Sequence, residues 1–222
     1  MFIVLEGLDG AGKSTQLKAL EAYYQKLDRA VRFMHFPQYE TPVFGELIAR
    51  FLRGDCGPID TVDPYLVALL FAGNRFQLSS RIKEWLDEGS VVLLDRYVYS
   101  NVAFQGAKLK TSTERNKLRD WILNMEFNYF KLPRPDVNLF LDVPISFIQS
   151  KLREERKGED RNYLKGKKDI HEASVQFQAT VREVYLDQAA RDDSFRVVPC
   201  ANERGDMASW EDIFERIIAY VK

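Results

Sequence analysis

A short apolar run followed by a glycine-rich loop limits the folds that this chain can adopt. Residues 2–5 are Phe-Ile-Val-Leu, and residues 7–14, GLDGAGKS, match the pattern G-x-x-x-x-G-K-[ST] in full. Glycines allow backbone N–H groups to wrap around an anion, and a following helix adds a favourable dipole at its N-terminus. A strand, this loop and a helix beginning near Lys13 make up the context that the motif requires. The sequence therefore predicts a nucleoside triphosphate site in preference to a chance glycine-rich turn.

Short apolar runs alternate with longer amphipathic segments along the chain. The candidate strands are residues 2–6, 31–36, 91–95, 137–142 and 195–199. Their unbroken apolar character predicts strands covered on both faces. The clearest candidate helices are residues 63–88, 171–191 and 210–221. This alternation predicts an α/β fold with a parallel sheet, and 222 residues fit one domain over 1–222.

The basic segment at residues 151–168 departs from this pattern. Its sequence, KLREERKGEDRNYLKGKK, contains eight Lys or Arg and four Asp or Glu, a balance of about +4 within a chain of net charge −1. Two glycines punctuate the segment and few of its residues are apolar. We expect an exposed, movable lid at about residues 151–168; a solvated charged helix is the alternative.

The overall charge and the cysteine content limit the partners and the compartment. Lys plus Arg number 32 and Asp plus Glu number 33, so a broad basic face for nucleic acid or an anionic membrane is not expected. The two cysteines, Cys56 and Cys200, are far apart and match no metal-site spacing. No apolar run approaches the roughly 20 residues of a membrane span, and the N-terminus lacks a signal-peptide pattern. We therefore expect a cytoplasmic protein that binds neither nucleic acid nor membrane.

A magnesium site is expected beside the glycine-rich loop. Lys13 is placed to neutralise the β- and γ-phosphates, and the Ser14 hydroxyl to ligate Mg²⁺. Such a site also needs a carboxylate at the end of a neighbouring buried strand, and Asp95 ends the run at residues 91–95. A strand-end residue that caps the next helix is the alternative for Asp95.

Three classes of triphosphate-using protein fit these features: a phosphotransferase, a GTPase switch and an ATPase that drives a partner. The nearest match to the guanine-reading N-K-x-D pattern, at residues 116–119, ends in arginine where the carboxylate belongs. The loop lacks the extra lysine of partition ATPases, and no L-S-G-G-Q signature occurs. A kinase needs a second anion site and a mobile cationic cover that excludes water. The basic segment is a candidate cover, which favours a kinase.

Three further segments resemble the thymidylate kinases, a family of P-loop nucleoside monophosphate kinases. Residues 95–106, DRYVYSNVAFQG, resemble D-R-Y-x-x-S-x-x-A-[YF]-Q-G, and residues 69–75, LLFAGNR, resemble L-F-A-x-[DN]-R. Residues 36–39, FPQY, resemble the F-P-x-x loop after the second strand. With the phosphate loop and the basic segment, these matches follow the family's order through essentially the whole chain.

The resemblance implies a P-loop NTPase fold, with a five-stranded parallel sheet flanked by helices and a short basic lid. It also implies that dTMP is phosphorylated to dTDP with Mg²⁺-ATP, a step in dTTP synthesis for DNA replication. Members of the family are usually homodimers. A kinase for another nucleotide or deoxynucleoside, or a regulatory module that only binds nucleotide, are the alternative functions.

The resemblance assigns roles to individual residues. Phe71 would stack on thymine, Arg75 would donate to its O4 atom, and Arg96 would hold the acceptor phosphate through its planar fork. The expected ATP-binding residues are Gly7, Leu8, Asp9, Gly10, Ala11, Gly12, Lys13, Ser14 and Thr15. The expected dTMP-binding residues are Asp9, Phe36, Pro37, Tyr39, Phe71, Arg75, Arg96, Ser100, Asn101, Phe104 and Gln105. The expected catalytic residues are Lys13, Asp9, Arg96, Arg153, Arg156 and Arg161, and the metal ligands are Ser14 and Asp95.

Several of these assignments have structural alternatives. For Phe71 the alternative is an aromatic side chain packed in the core, and for Arg96 it is a surface ion pair. The phosphate loop carries no arginine, so the charge that stabilises the transferred group is expected from the lid arginines. Residues 169–172, DIHE, stand where relatives have an acidic–aromatic–Glu pattern, which makes Glu172 a hypothetical base-side or metal-side contact or a helix N-terminal carboxylate.

Two positions depart from the common family pattern. Gly73 and Asn74 replace the commoner Ala-Asp pair before the helix arginine, so contacts around the base are expected to differ. Phe104 stands where many members have tyrosine. If that hydroxyl helps reject ribose, discrimination against ribonucleotides must arise differently in this chain.

Overall fold

The computed structural model describes residues 1–153, 159–167, 169–172 and 174–221, and for residues 152, 153 and 159–161 it describes the backbone alone. Its five strands form one parallel sheet in the order β2-β3-β1-β4-β5. The strands are β1 (Phe2–Gly7), β2 (Val31–His35), β3 (Val91–Asp95), β4 (Val137–Asp142) and β5 (Phe195–Pro199). The predicted parallel sheet is confirmed, and each strand bound lies within one residue of its prediction.

Helices connect and flank the strands. They are α1 (Lys13–Lys26), α2 (Phe44–Leu52), α3 (Pro64–Asp87), α4 (Val98–Gly106), α5 (Ser112–Leu123), α6 (Ile145–Arg153), α7 (Val175–Ala189) and α8 (Trp210–Val221). A π-helical turn (Asn124–Tyr129) continues α5, and a 3₁₀ helix (Glu159–Leu164) follows α6. None of the helices within the described ranges combines the length and apolar character needed to cross a bilayer.

The long helix α3 begins where its sequence predicts. The Asp63 side chain accepts hydrogen bonds from the backbone N–H groups of Tyr65 and Leu66. Pro64 occupies the first helical position, where its missing N–H costs nothing. This cap fixes the start of the helix that carries Phe71, Asn74 and Arg75.

The expectation that all strands are covered on both faces is wrong for the two edge strands. Every residue of β1 is buried, whereas Arg32 and Phe33 of β2, and Arg196 and Pro199 of β5, are exposed. An edge strand has a neighbour on one side only, so it receives less cover than a central one. An unbroken apolar run does not distinguish the two positions.

Two boundaries in the second half of the chain also differ from expectation. The helix predicted from residue 171 begins at Val175, because the Ser174 hydroxyl caps it by accepting from the N–H of Phe177. The lid is not exposed throughout, since Leu164 is buried. Residues 154–158 and 168 of the predicted lid lie outside the described residues.

A small second core lies apart from the main one. Its fully buried members are Ile48, Phe51, Leu52 and Val67, from α2 and α3. Further apolar side chains pack against them, namely Tyr39, Val62, Leu70, Phe71, Tyr163 and Ile170. The second core therefore joins α2 and α3 to the loop after β2 and to the segment after α6.

Gly73 allows the close approach of α2 to α3. A Cβ atom at this position would overlap the Phe44 ring, which stands at the first residue of α2. We predict that Gly73→Ala lowers the free energy of unfolding by about 1–3 kcal/mol, although alanine is the better helix former, because the ring has to move. Urea denaturation measures the change. In a chain that also carries Phe44→Ala, the Gly73→Ala substitution should cost much less; equal costs in both backgrounds would contradict the contact.

Candidate active site

The phosphate loop connects β1 to α1 at the carboxyl edge of the sheet. Gly10 has φ 80° and Gly12 has φ 83°, left-handed conformations that glycine adopts without strain. The Lys13 ammonium donates to the carbonyl of Leu8 at 3.1 Å, so it lies across the loop that it would neutralise. Burial, together with the nearby charge of Arg96, lowers the pKa of Lys13 below its usual value. A polyanion bound in this loop would stabilise the charged ammonium and so offset both effects on the pKa of Lys13.

The residues beside the loop fit a magnesium ion bound mainly by phosphate. The Asp95 Oδ1 atom is buried, accepts no hydrogen bond among the described residues and lies 3.8 Å from Lys13 Nζ. The Ser14 side chain is exposed at the start of α1. No group of three His, Cys, Asp or Glu in the described part of the chain is arranged to hold a metal unaided. Mg²⁺ suits such a site, because it keeps waters and phosphate oxygens and takes only one or two protein ligands.

Arg96 joins the phosphate loop to the cavity beside it. Its guanidinium donates to Asp9 Oδ1 at 2.9 Å and to Ser100 Oγ at 3.1 Å, and it lies 5.0 Å from the centroid of the Phe104 ring. Its backbone φ of 67° is left-handed, a strained conformation that is concentrated at functional sites. Burial is the largest single influence and opposes its charge, but Asp9, Tyr185, Asp95 and Glu6 together outweigh burial and raise the pKa of Arg96. The guanidinium therefore stays charged.

A buried carboxylate that the sequence analysis missed supports the start of α4. Glu6 is completely buried, and its Oε1 atom accepts from the backbone N–H groups of Tyr97 and Ser100 at 2.9 and 3.1 Å. Its Oε2 atom accepts from the Ser100 hydroxyl at 2.5 Å and from the Tyr185 hydroxyl at 2.9 Å. The sequence feature that could have revealed Glu6 is a carboxylate in an otherwise apolar strand, immediately before the phosphate loop.

One cavity brings together all eleven residues expected to bind the acceptor. Its empty space, counted out to the solvent at its mouth, is about 550 Å³. The predicted residues that line it are Asp9, Phe36, Pro37, Tyr39, Phe71, Arg75, Arg96, Ser100, Asn101, Phe104 and Gln105. Four more residues that were not predicted line it as well, namely Leu52, Tyr163, Asp169 and His171. Within residues 169–172, Asp169 and His171 thus reach the cavity, whereas Glu172, the hypothetical base-side or metal-side contact, is not among the lining residues.

A buried ion pair fixes Arg75 at the inner end of the cavity. Its Nε and Nη2 atoms donate to the two carboxylate oxygens of Glu126 at 2.5 and 2.7 Å, and both residues are almost fully buried. Glu126 Oε1 also accepts from the Asn101 amide at 3.0 Å. Glu126 stands in the π-helical turn after α5, a rare element that is frequent near functional sites. Bidentate pairing holds the guanidinium plane in one orientation.

Asn74 holds the loop after β2 against α3. Its Oδ1 atom accepts from the N–H of Gln38, and its Nδ2 atom donates to the carbonyl of Gln38, both at 2.9 Å. The same Nδ2 donates to Thr41 Oγ1 at 2.6 Å. An aspartate, common at this position in the family, has no donor for the second and third bonds. The amide thus explains why Asn fits this loop.

Burial strongly shifts two acid–base groups that line the cavity. Burial and the charge of Asp9 raise the pKa of Asp169 to about 7. Burial and the charge of Lys108 lower the pKa of His171 to about 3, so its imidazole is neutral. The ring of His171 packs near Phe104, at 5.0 Å between centroids. The cavity wall therefore pairs the apolar Phe104 with an uncharged histidine.

The predicted lid arginines are only partly described. Arg156 lies outside the described residues, and for Arg153 and Arg161 the description covers the backbone alone. Their predicted role stays a prediction. His35, interpreted from the sequence as a strand residue, ends β2 and lies 3.1 Å from the Gln38 side-chain amide through its Nδ1 atom.

Comparisons with known proteins identify similar chains over nearly the full length. A family model described as thymidylate kinase matches residues 5–208. A probable thymidylate kinase of Thermococcus onnurineus is 34% identical and covers 100% of this chain and 97% of its own. The thymidylate kinase of Plasmodium falciparum is 35% identical, with 68% of this chain matching 65% of its length. A solved thymidylate kinase from Candida albicans is 26% identical with a TM-score of 0.73, covering 99% of this chain and 90% of the other.

We predict that Asn74→Asp weakens binding of dTMP, the expected acceptor, without affecting ATP. The substitution keeps the side-chain shape but removes two donated hydrogen bonds and places a carboxylate against the carbonyl oxygen of Gln38. A loss of about 10-fold in dTMP affinity corresponds to one such buried mismatch. Isothermal titration of each nucleotide measures the effect. Unchanged dTMP affinity in a folded variant would show that the loop does not depend on this amide.

Proposed function

The chain belongs to the thymidylate kinase family of phosphotransferase enzymes, and on that basis we propose that it transfers the γ-phosphoryl group of Mg²⁺-ATP to dTMP, forming dTDP. One observation supports this most strongly: the phosphate loop and the cavity beside it meet at the ion pair of Asp9 and Arg96. A donor phosphate held by the loop and an acceptor phosphate held by Arg96 would therefore lie side by side. Transfer between neighbouring phosphates needs mainly positioning and charge neutralisation.

The cavity supplies contacts for each part of dTMP. The half-buried ring of Phe71 offers a stacking face for thymine, and Arg75, held in plane by Glu126, donates to the base edge. The guanidinium of Arg96 binds the 5′-phosphate, while Asp9 meets the sugar side. The acceptor phosphate is already anionic near neutral pH, so no general base is assigned. The two substrates are thus oriented by groups that are fixed beforehand.

The donor side neutralises the triphosphate. The backbone N–H groups of residues 8–13 and the Lys13 ammonium bind the β- and γ-phosphates. Ser14 and Asp95 would hold Mg²⁺, which when bound offsets the charge that develops during transfer. In this arrangement the attacking and leaving oxygens lie in line across the Asp9–Arg96 pair, and closure of the lid excludes water.

Arg153, Arg156 and Arg161 are proposed to stabilise the transferred group. The phosphate loop holds Leu, Asp, Gly and Ala at positions 8–11, so it contains no arginine of its own. The end of α6 supports this role, because a Cβ atom added at Gly10 would lie only 3.3 Å from Lys151 Cβ. Lys151, the first residue of the predicted lid, therefore lies beside the phosphate loop.

A homodimer is proposed through the exposed face of α3. Leu66, Leu69 and Phe76 lie on one side of this helix and are 63%, 41% and 48% exposed. Such a row of large apolar side chains suits a two-fold interface in which the same face meets itself. The cytoplasmic location expected from the sequence stays a prediction.

A coupled assay for ADP release with Mg²⁺-ATP tests the proposed function. The acceptors are dTMP, dUMP, UMP, dCMP, dGMP, AMP, thymidine and water alone. Turnover concentrated on dTMP, with dUMP slower, is the expected result. Preference for another acceptor would retain the mechanism and reject the thymine contacts. Turnover with water alone would instead indicate an ATPase.

Two substitutions separate the donor and acceptor sites. Lys13→Ala should lower kcat by about 100-fold or more, because it removes a positioned charge from the transferring phosphates. Arg96→Ala should raise KM for dTMP by about 10- to 100-fold and leave KM for ATP within about twofold. Arg191→Ala, which removes an exposed side chain two residues past the end of α7, is the matched control and should change neither. Near-normal turnover of Lys13→Ala would contradict the donor-site assignment.

A further inference from the structure

Two tyrosines from distant parts of the chain stack on each other in the wall of the cavity. The rings of Tyr39 and Tyr163 are 3.8 Å apart between centroids and inclined by 12°. Tyr39 belongs to the loop after β2, whereas Tyr163 belongs to the 3₁₀ helix after α6. Both line the cavity, and burial raises the pKa of each hydroxyl, so both remain protonated. The stack therefore joins two segments that approach the cavity from different parts of the fold.

The backbone and hydroxyl of Tyr163 are both anchored. Its hydroxyl donates to Asp169 Oδ2 at 2.7 Å, and its carbonyl accepts from Arg53 Nη1 at 2.8 Å. The backbone N–H of His171 donates to the other oxygen of Asp169 at 2.7 Å. Hydrogen bonds thus fix Tyr163 at both ends, at its hydroxyl and at its main-chain carbonyl.

The same segment is fastened to the end of α2. Asp55 accepts from Arg53 Nε at 2.9 Å and from Lys167 Nζ at 2.6 Å. The N–H of Ile170 donates to the carbonyl of Leu52 at 3.0 Å, and its side chain packs into the second core. The part of the lid after residue 161 is therefore attached to α2, the helix that directly follows the loop carrying Tyr39.

The Tyr39 ring depends on the stack for its orientation, because Asn74, which also holds this loop, binds mainly its backbone. Asn74 binds Gln38 and the Thr41 hydroxyl, and none of its bonds reaches the Tyr39 side chain. The ring of His35 also lies near Tyr39 in the described part of the chain, at 6.4 Å between centroids and tilted by 55°. The close, parallel contact that orients Tyr39 comes from Tyr163.

We propose that Tyr163 is a positioning residue for the phosphoryl acceptor: it orients Tyr39 through the ring stack and so couples the loop after β2 to the segment after α6. The inference rests on the proposed function, because its readout is acceptor binding. The phosphate loop lies outside both coupled segments. A loss of the stack should therefore weaken acceptor binding more than ATP binding.

A double-mutant cycle on acceptor affinity tests the coupling. Tyr39→Leu, Tyr163→Leu and the double variant are compared with the wild type, and Tyr129→Leu, whose ring is 79% exposed, is the control. An aromatic pair of this kind corresponds to a change of about 3- to 10-fold. Each single variant should raise KM for dTMP by that factor, with KM for ATP within twofold, and the double variant should rise no further than the larger single change. Effects that multiply, or an equal rise in KM for ATP, would overturn the proposal.

Tyr163→Phe separates the ring from the hydroxyl. This variant keeps the stack and loses the hydrogen bonds of the hydroxyl, to Asp169 and to the Tyr39 side chain, so KM for dTMP should stay within about twofold of the wild type. A rise as large as that of Tyr163→Leu would assign the effect to the hydroxyl and overturn the role of the stack. The phenylalanine variant also keeps the proposal testable if leucine at this position prevents folding.

Direct binding measurements distinguish failure of this inference from failure of the proposed function. Isothermal titration with dTMP, dUMP and AMP is performed on the wild type and on the folded variants without turnover. If the wild type binds none of these nucleotides, the proposed function fails and the inference with it. If the wild type binds dTMP and Tyr163→Leu binds it equally well, only the inference fails.

Discussion

Glu6 places a carboxylate in the interior, directly beneath the residues that face the substrates. Its two oxygens accept four hydrogen bonds, two of them from backbone N–H groups at the start of α4. A carboxylate at a helix N-terminus is favoured by the helix dipole, and complete burial strengthens that interaction. The carboxylate thereby fixes the position of the helix that supplies the cavity residues Ser100, Asn101, Phe104 and Gln105. Without the Glu6 carboxylate, the N–H groups at the start of α4 would have no hydrogen-bond partner, and the helix would lose its attachment to β1.

The parallel sheet explains why the proposed donor and acceptor sites adjoin. β1 and β3 are neighbours, and Leu5 is paired with Asp95, so the phosphate loop and Arg96 leave the sheet at the same edge. The ion pair between Asp9 and Arg96 links the segment that follows β1 to the segment that follows β3. Ligands bind in such sheets outside the carboxyl ends of the strands, where successive loops converge. Phosphoryl transfer exploits this convergence, because it requires two phosphates held close together and screened from water.

Local patterns predicted the parts of the site that are encoded locally. The five strands and the phosphate loop followed from runs, spacings and a motif of a few residues each, whereas the eleven residues expected to bind the acceptor came from the resemblance to a family. Contacts between distant segments were not readable in the same way. Glu126 reaches Arg75 from 51 residues further along the chain, and Tyr163 reaches Tyr39 from another part of the fold. The sequences of edge and central strands look alike for the same reason. The neighbours of a strand are set by the topology of the sheet and not by the strand's own residues.

The dependence of the acceptor site on Glu6 can be measured most directly with Glu6→Gln. Glutamine keeps the side-chain shape and one accepting oxygen, but it removes the charge and one acceptor from a site where four donors converge. Isothermal titration of the variant, shown to be folded by circular dichroism, should give a dTMP affinity lower by about 10-fold or more. The ATP affinity should stay within about threefold of the wild type. A folded Glu6→Gln chain that binds dTMP as tightly as the wild type would contradict this account.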